Sequence, residues 1–232
     1  MLKNMVIIII IMLVITSCVT TAAGNLQRAT RTSADASFAF DTATRNFTNA
    51  VNDFRSAVIN FEFTIRNLEV AKNRTEAIRA RDAAFHADRI TRNSQKLANQ
   101  FYIIASNAYD NSIRAGLDFR RAQQELLVSP DPWENNSSIR NSSIRSNNIS
   151  VDIHNSALTQ YEATESLYNN VFEIYNRNKS SHLDALKIHD LASLPDELMP
   201  YFVVLYESIG DDNVAFIEIF NEFVDNFYDS KK

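Results

Sequence analysis

The sequence of residues 40–68 reads FDTATRNFTNAVNDFRSAVINFEFTIRNL. Large apolar residues recur at every seventh position, and we call them the phenylalanine row: Phe40, Phe47, Phe54, Phe61 and Leu68. A companion row fills the alternate positions with Thr44, Val51, Val58 and Ile65. Spacings of three and four residues place both rows on one side of a helix. This stretch therefore predicts a long helix whose apolar side packs against other helices.

Three further apolar residues, Phe38, Ile59 and Phe63, lie beside these rows and are expected to widen the apolar side. A wide apolar stripe indicates a bundle of several helices rather than a two-stranded coil. The same phenylalanines are also compatible with a tunnel that holds a lipid, so this alternative stays open.

The apolar pattern stops between Lys72 and Arg79. Asn73 followed by Glu76 resembles the capping pair at the start of a helix. We therefore expect a turn near residues 72–76, although a single helix over 30–128 remains an alternative. A second helix follows, and it must end before Pro130, because proline cannot donate a backbone hydrogen bond. The apolar side of this helix is expected to consist of Ala83, Ala87, Ile90, Leu97, Phe101, Ile104, Ala108, Phe119, Ala122 and Leu126.

Residues 129–150 contain seven serines and five asparagines, a composition that predicts a polar loop. Trp133, the only tryptophan, is expected to cap the end of the bundle, with contact to a membrane or a partner as the alternative. A third helix follows, with Tyr161, Tyr168 and Tyr175 at heptad spacing, and we expect a turn near 178–181 and shorter helices beyond it.

Composition supports an all-α fold, since the chain has three glycines and four prolines and lacks strand-like alternation with tight turns. The predicted architecture is an elongated antiparallel helical bundle with long N-terminal helices and a broken C-terminal part.

The net charge of −5 argues against nucleic acid as a partner. Nine acidic and no basic residues lie in 196–230, whereas 66–96 hold eight basic and four acidic residues. Packing of these two segments against each other is favoured over a basic partner or a cation.

The N-terminus has the three parts of an export signal. Lys3 supplies a positive charge, Val6–Ile15 is an unbroken apolar run, and Thr16, Ser17 and Cys18 follow it. The apolar run has ten residues, whereas a membrane-spanning helix needs about twenty. A cleaved signal is therefore favoured over a membrane-spanning anchor.

Ile15-Thr16-Ser17-Cys18 resembles the lipobox of bacterial lipoproteins, with an aliphatic residue and two small ones before a cysteine. The resemblance covers residues 1–18 only and implies cleavage before Cys18, acylation of that cysteine with palmitate-type chains, and anchoring in a bilayer. By the same resemblance, Val19 favours the outer membrane over the inner one. The expected organisation is a signal peptide over 1–17, a flexible lipidated tether over 18–30, and one helical-bundle domain over 31–230.

No catalytic or cofactor-binding motif is present. None of the four histidines (His86, His154, His182 and His189) has the glutamate three residues earlier that a helical metal site would use, so we expect no metal and no cofactor. The sequence predicts a non-enzymatic envelope lipoprotein, facing the periplasm or the cell surface, with a structural or protein-interaction role. Its partner would be an envelope or host protein, and the apolar rows would suit a homo-oligomer equally well. The alternative function is binding of an apolar ligand such as a lipid.

Overall fold

The computed structural model describes residues 2–128 and 135–188, with the backbone alone for residues 2–21, 74, 135–136 and 186–188. Three long helices pack against one another: α1 (Leu2–Glu69), α2 (Arg74–Val128) and α3 (Asn135–Ile188). The described ranges contain no strand. The prediction of an all-α helical bundle is therefore confirmed.

The turn between α1 and α2 is held by the predicted capping pair. The side-chain oxygen of Asn73 accepts a hydrogen bond from the Glu76 backbone N–H at 2.9 Å, and the Glu76 carboxylate accepts one from the Lys72 backbone N–H, also at 2.9 Å. These bonds satisfy N–H groups that have no partner within a helix. The single-helix alternative for residues 30–128 is thereby excluded, and α2 ends at Val128, before Pro130, as expected.

The chain divides into two compact units, which are described separately. The first unit comprises Met1–Asn49 and Asn99–Ser166, and the second comprises Ala50–Ala98 and Leu167–Lys232. Within the first unit, α1 runs antiparallel to α2 and parallel to α3. The antiparallel direction follows from the contacts of Ser37 with Ser112 and of Phe47 with Tyr102. The parallel direction follows from the contacts of Ser33 with Asn147 and of Thr48 with Thr164.

The buried heptad positions carry mostly large side chains on α1 and mostly small ones on α2. Every member of the phenylalanine row is buried, as is every member of the companion row. The buried row of α2 consists of Ala77, Ala84, Thr91 and Ala98 in the second unit, and of Ala105, Ser112, Phe119 and Leu126 in the first. Burial of each phenylalanine contributes about 1.5–3 kcal/mol. These aromatic side chains therefore dominate the core.

The expected apolar side of α2 is confirmed at Ala87, Phe119, Ala122 and Leu126, which are buried, but it is wrong at three large residues between them. Ile90, Leu97 and Ile104 are all exposed, although the sequence predicted them in the core. Beside the phenylalanine row, phenyl rings already fill much of the space next to α1, so α2 buries alanine and threonine there, at Ala84, Thr91, Ala98 and Ala105. For the same reason Phe38, Ile59 and Phe63 do not widen the core: they are 55%, 57% and 61% exposed.

Three expectations about irregular segments also need correction. Residues 22–30, expected in a flexible tether, are helical, with Ala23 and Leu26 buried against Phe119, Ala122 and Leu126. The polar loop expected over 129–150 is wrong from Asn135 onward, because α3 begins there and buries Ser143 and Ser150. Helix α3 also continues through 178–181, where a turn was expected. The shorter helices expected beyond it, and the acidic segment 196–230, lie outside the described residues.

Candidate binding cleft in the first unit

A cleft of about 270 Å³ opens between the three helices of the first unit. Its floor, which we call the serine floor, consists of buried or half-buried side chains: Ser33, Ser37, Ser112, Ser150 and His154. The remaining lining residues are more exposed and form its rim: Ile113, Gly116, Arg120, Val151 and Asn155. We call the whole arrangement the serine cleft.

Hydrogen bonds connect the serine floor across the helices. The hydroxyls of Ser37 and Ser112 lie 3.4 Å apart, and the Ser112 hydroxyl lies 2.9 Å from Nδ1 of His154. Ser33 donates to the Asn147 side-chain oxygen at 3.2 Å. Each helix thus contributes a polar side chain at a position that faces the core, and the network joins α1 to α2 and α3.

The heptad pattern explains why these polar groups meet. Ser33 precedes Phe40 by seven residues and therefore continues the phenylalanine row, and Ser37 continues the companion row in the same way. Ser112 and Ser150 are the buried heptad positions of α2 and α3 at this level. At this level of the bundle, therefore, all three helices place hydroxyl groups at buried positions.

His154 separates the serine floor from an aromatic cluster. Its ring lies 5.4 Å from Phe40 and 5.6 Å from Tyr109, with the latter pair stacked at 18°. Burial lowers the pKa of His154, because a charged imidazole loses hydration there. The neutral ring accepts from or donates to Ser112, depending on its tautomer.

The Ser112–His154 pair raises the question of nucleophilic catalysis. Among the described residues no carboxylate bonds to His154, so the orienting acid of a catalytic triad is missing there. Ser112 also lies within α2, where backbone N–H groups are engaged in helical hydrogen bonds and cannot stabilise an oxyanion. This geometry favours hydrogen bonding to a ligand over covalent chemistry.

The tyrosines at heptad spacing pack against the phenylalanine row. In the first unit, ring centroids lie 5.5 Å apart for Phe47 and Tyr102, and 6.0 Å apart for Phe47 and Tyr161. Tyr102 also donates to Glu165 at 2.8 Å, which raises the pKa of its phenol. Such aromatic pairs stabilise a core beyond the area that they bury.

The second unit contains a buried charged cluster. Asp88 is fully buried, and its carboxylate accepts from Arg92 at 2.6 Å and from the Tyr175 hydroxyl at 2.9 Å. His182 is also fully buried, between the rings of Phe61 at 5.3 Å and Phe85 at 5.2 Å. Burial lowers the pKa of His182 to about 4, while Asp88 opposes this effect and Arg92 adds to it. The imidazole is therefore a neutral core side chain at pH 7.

Most of the residues that the sequence singled out lie outside the described side chains. Cys18 lies in α1, within the part whose backbone alone is described, and Trp133 lies outside the described residues, as does His189. His86 is exposed, and its Nδ1 lies 3.3 Å from a guanidinium nitrogen of Arg89. In the described part of the chain, no group of three or more His, Cys, Asp or Glu side chains is placed to hold a metal ion.

The serine cleft was missed by sequence reasoning, although a signal existed. Extending the two rows of α1 backward from Phe40 places Ser33 and Ser37 in the core.

No helix in the described ranges is both long enough and apolar enough to cross a membrane. Comparisons with protein-family models, curated proteins and solved structures found no match to this chain.

Proposed function

We propose that this protein is a non-enzymatic lipoprotein of the bacterial envelope, anchored through acylated Cys18, with a structural or protein-interaction role. The observation that carries the proposal is the tetrapeptide Ile15-Thr16-Ser17-Cys18 directly after the apolar run Val6–Ile15. Two or more acyl chains make membrane attachment stable, since each buried methylene contributes about 0.8 kcal/mol. Under this proposal Val19 assigns the protein to the outer membrane.

Two structural features support an interaction role over catalysis. The histidines and tyrosines in the cores of both units are engaged in ring packing and hydrogen bonds, as Tyr175 and His182 illustrate. Large apolar side chains lie exposed instead, including Phe38 in the first unit and the helical neighbours Ile59 and Phe63 in the second. Exposed apolar side chains that cluster are typical of protein contact sites. We therefore expect a protein partner at the helix faces.

The alternative, an apolar ligand among the phenylalanines, gains no support from the described residues. Phe40, Phe47, Phe54 and Phe61 are fully buried, and each has an aromatic neighbour with ring centroids 5.3–6.0 Å apart. These phenyl rings pack against aromatic rings of α2 and α3 and thereby fill the core. The serine cleft, for its part, has a polar floor.

Metabolic labelling with a clickable palmitate analogue tests the anchor. The native chain is compared with Cys18→Ala, and Ser17→Ala is the matched control because alanine is common at that lipobox position. We expect label on the native chain and on Ser17→Ala, and none on Cys18→Ala. Equal labelling of all three chains, or of none, would contradict the proposal. Crosslinking in labelled cells then identifies the partner.

A further inference from the structure

Core packing does not explain the serine cleft. At Ser33 and Ser37, the two rows of α1 carry hydroxyls where later heptads carry apolar side chains such as Phe40, Phe47 and Val51. Both serines are nearly fully buried. Apolar side chains at these positions would bury more area and stabilise the bundle more. Sites where a sequence departs from the rules that the rest of it follows are where function is expected.

Gly116 provides a second and independent observation. It lies in the interior of α2 and in the wall of the serine cleft. Glycine inside a helix costs about 1 kcal/mol relative to alanine. A β-carbon added to Gly116 would meet no atom within 4 Å, so no neighbouring side chain requires the glycine. Its effect is to leave the wall of the cleft open.

The charge of the cleft indicates the chemistry of a ligand. Arg120, one helical turn after Gly116, is the only charged residue among the described residues that line the cleft. It makes no ion pair with a described residue, whereas its neighbour Arg121 lies 3.6 Å from Asp118. An exposed guanidinium without a carboxylate partner, at the mouth of a hydroxyl-lined cavity, favours an oxyanion.

We propose that the serine cleft binds a small hydroxylated anion, meaning a carboxylate or phosphate group carried by a short polyol. Arg120 would bind the oxyanion at the rim, and Ser37, Ser112 and His154 would bond to the hydroxyls at the floor. The volume of about 270 Å³ corresponds to about nine water molecules at about 30 Å³ each, which suits a ligand of this size. This binding activity goes beyond the structural and interaction role proposed above.

Isothermal titration calorimetry on the full-length protein in detergent tests the proposal with three related probes. Glycerol 3-phosphate and glycerate carry the two candidate anions, and glycerol has hydroxyls without a charge. We expect saturable binding of at least one anion and none of glycerol. Preference between the two anions distinguishes a phosphate site from a carboxylate site. Absence of binding by both anions, or equal binding of glycerol, would overturn the proposal.

Variants locate the binding site. Arg120→Gln should weaken binding about tenfold to hundredfold, because a hydrogen bond to a charged group is lost. Arg121→Gln is the matched control, one residue away and outside the cleft, and should bind like the native chain. Gly116→Leu should abolish binding by filling the cleft while circular dichroism shows unchanged helicity. Equal affinity of Arg120→Gln and Arg121→Gln, or native affinity of Gly116→Leu, would show that the cleft is not the site.

Discussion

Acidification should destabilise the second unit through His182. The pKa of this imidazole is about 4, against 6.5 for an unperturbed histidine, because burial between Phe61 and Phe85 disfavours the charged form. A base whose pKa is lowered by folding contributes stability that is complete above the unfolded pKa. That stability is lost as the pH falls from about 6.5 towards about 4. The full difference corresponds to about 3 kcal/mol, of which about 2 kcal/mol is lost between pH 7 and pH 5.

Urea unfolding followed by circular dichroism at pH 7, 6 and 5 measures this loss. His182→Gln removes the titrating group. Between pH 7 and pH 5, the free energy of unfolding of this variant should therefore fall by about 2 kcal/mol less than that of the native chain. His86→Gln is the control, since His86 is exposed, and it should keep the pH dependence of the native chain. The reasoning is refuted if the native chain and His182→Gln lose equal stability between pH 7 and pH 5.

Two further predictions concern the fold. Phe47→Ala, at a fully buried position, should destabilise the protein by about 3–5 kcal/mol. Phe38→Ala, at a position 55% exposed, should change stability by about 0.5 kcal/mol or less. Similar urea midpoints for the two variants would show that the phenylalanine row is not the core. Asn73→Ala should lower the free energy of unfolding by about 1 kcal/mol, because it removes the helix cap. Asn67→Ala, at an exposed position on α1, is the control. Equal free energies of unfolding for these two variants would argue against the capping bond.

The local features of the fold could be predicted from the sequence. Heptad spacing from Phe40 to Leu68 identified the buried side of α1, and Asn73 with Glu76 identified the turn after it. Both depend on interactions between residues a few positions apart, so spacing and residue type are enough to recognise them. Pro130 likewise predicted that α2 ends before it, and the helix ends at Val128.

Features that depend on distant residues could not be predicted. Ile104 on α2 looks like a core residue and Ala105 does not, yet Ala105 is the buried one. The choice depends on α1, whose phenylalanines leave little room at the position of Ala105. Residues 135–150 are polar and weak helix formers, but packing of Ser143, Ser150 and Ile139 against the first unit outweighs local propensity.

The serine cleft depends on distant residues to a greater degree. Ser37, Ser112 and His154 come from three helices, and no spacing within the chain links them. Only the register of the helices brings their side chains together. Arg120 stands beside Arg121 in the sequence, and the structure alone shows which of the two lines the cleft.

The mass of the intact protein, purified from bacterial membranes, tests the central claim most directly. The account predicts a chain that begins at Cys18, lacks residues 1–17 and carries the added mass of two or three acyl chains, with the acyl groups on the N-terminal peptide after digestion. An unmodified chain that retains Met1–Ser17, or a cleaved chain without acyl groups on Cys18, would contradict it.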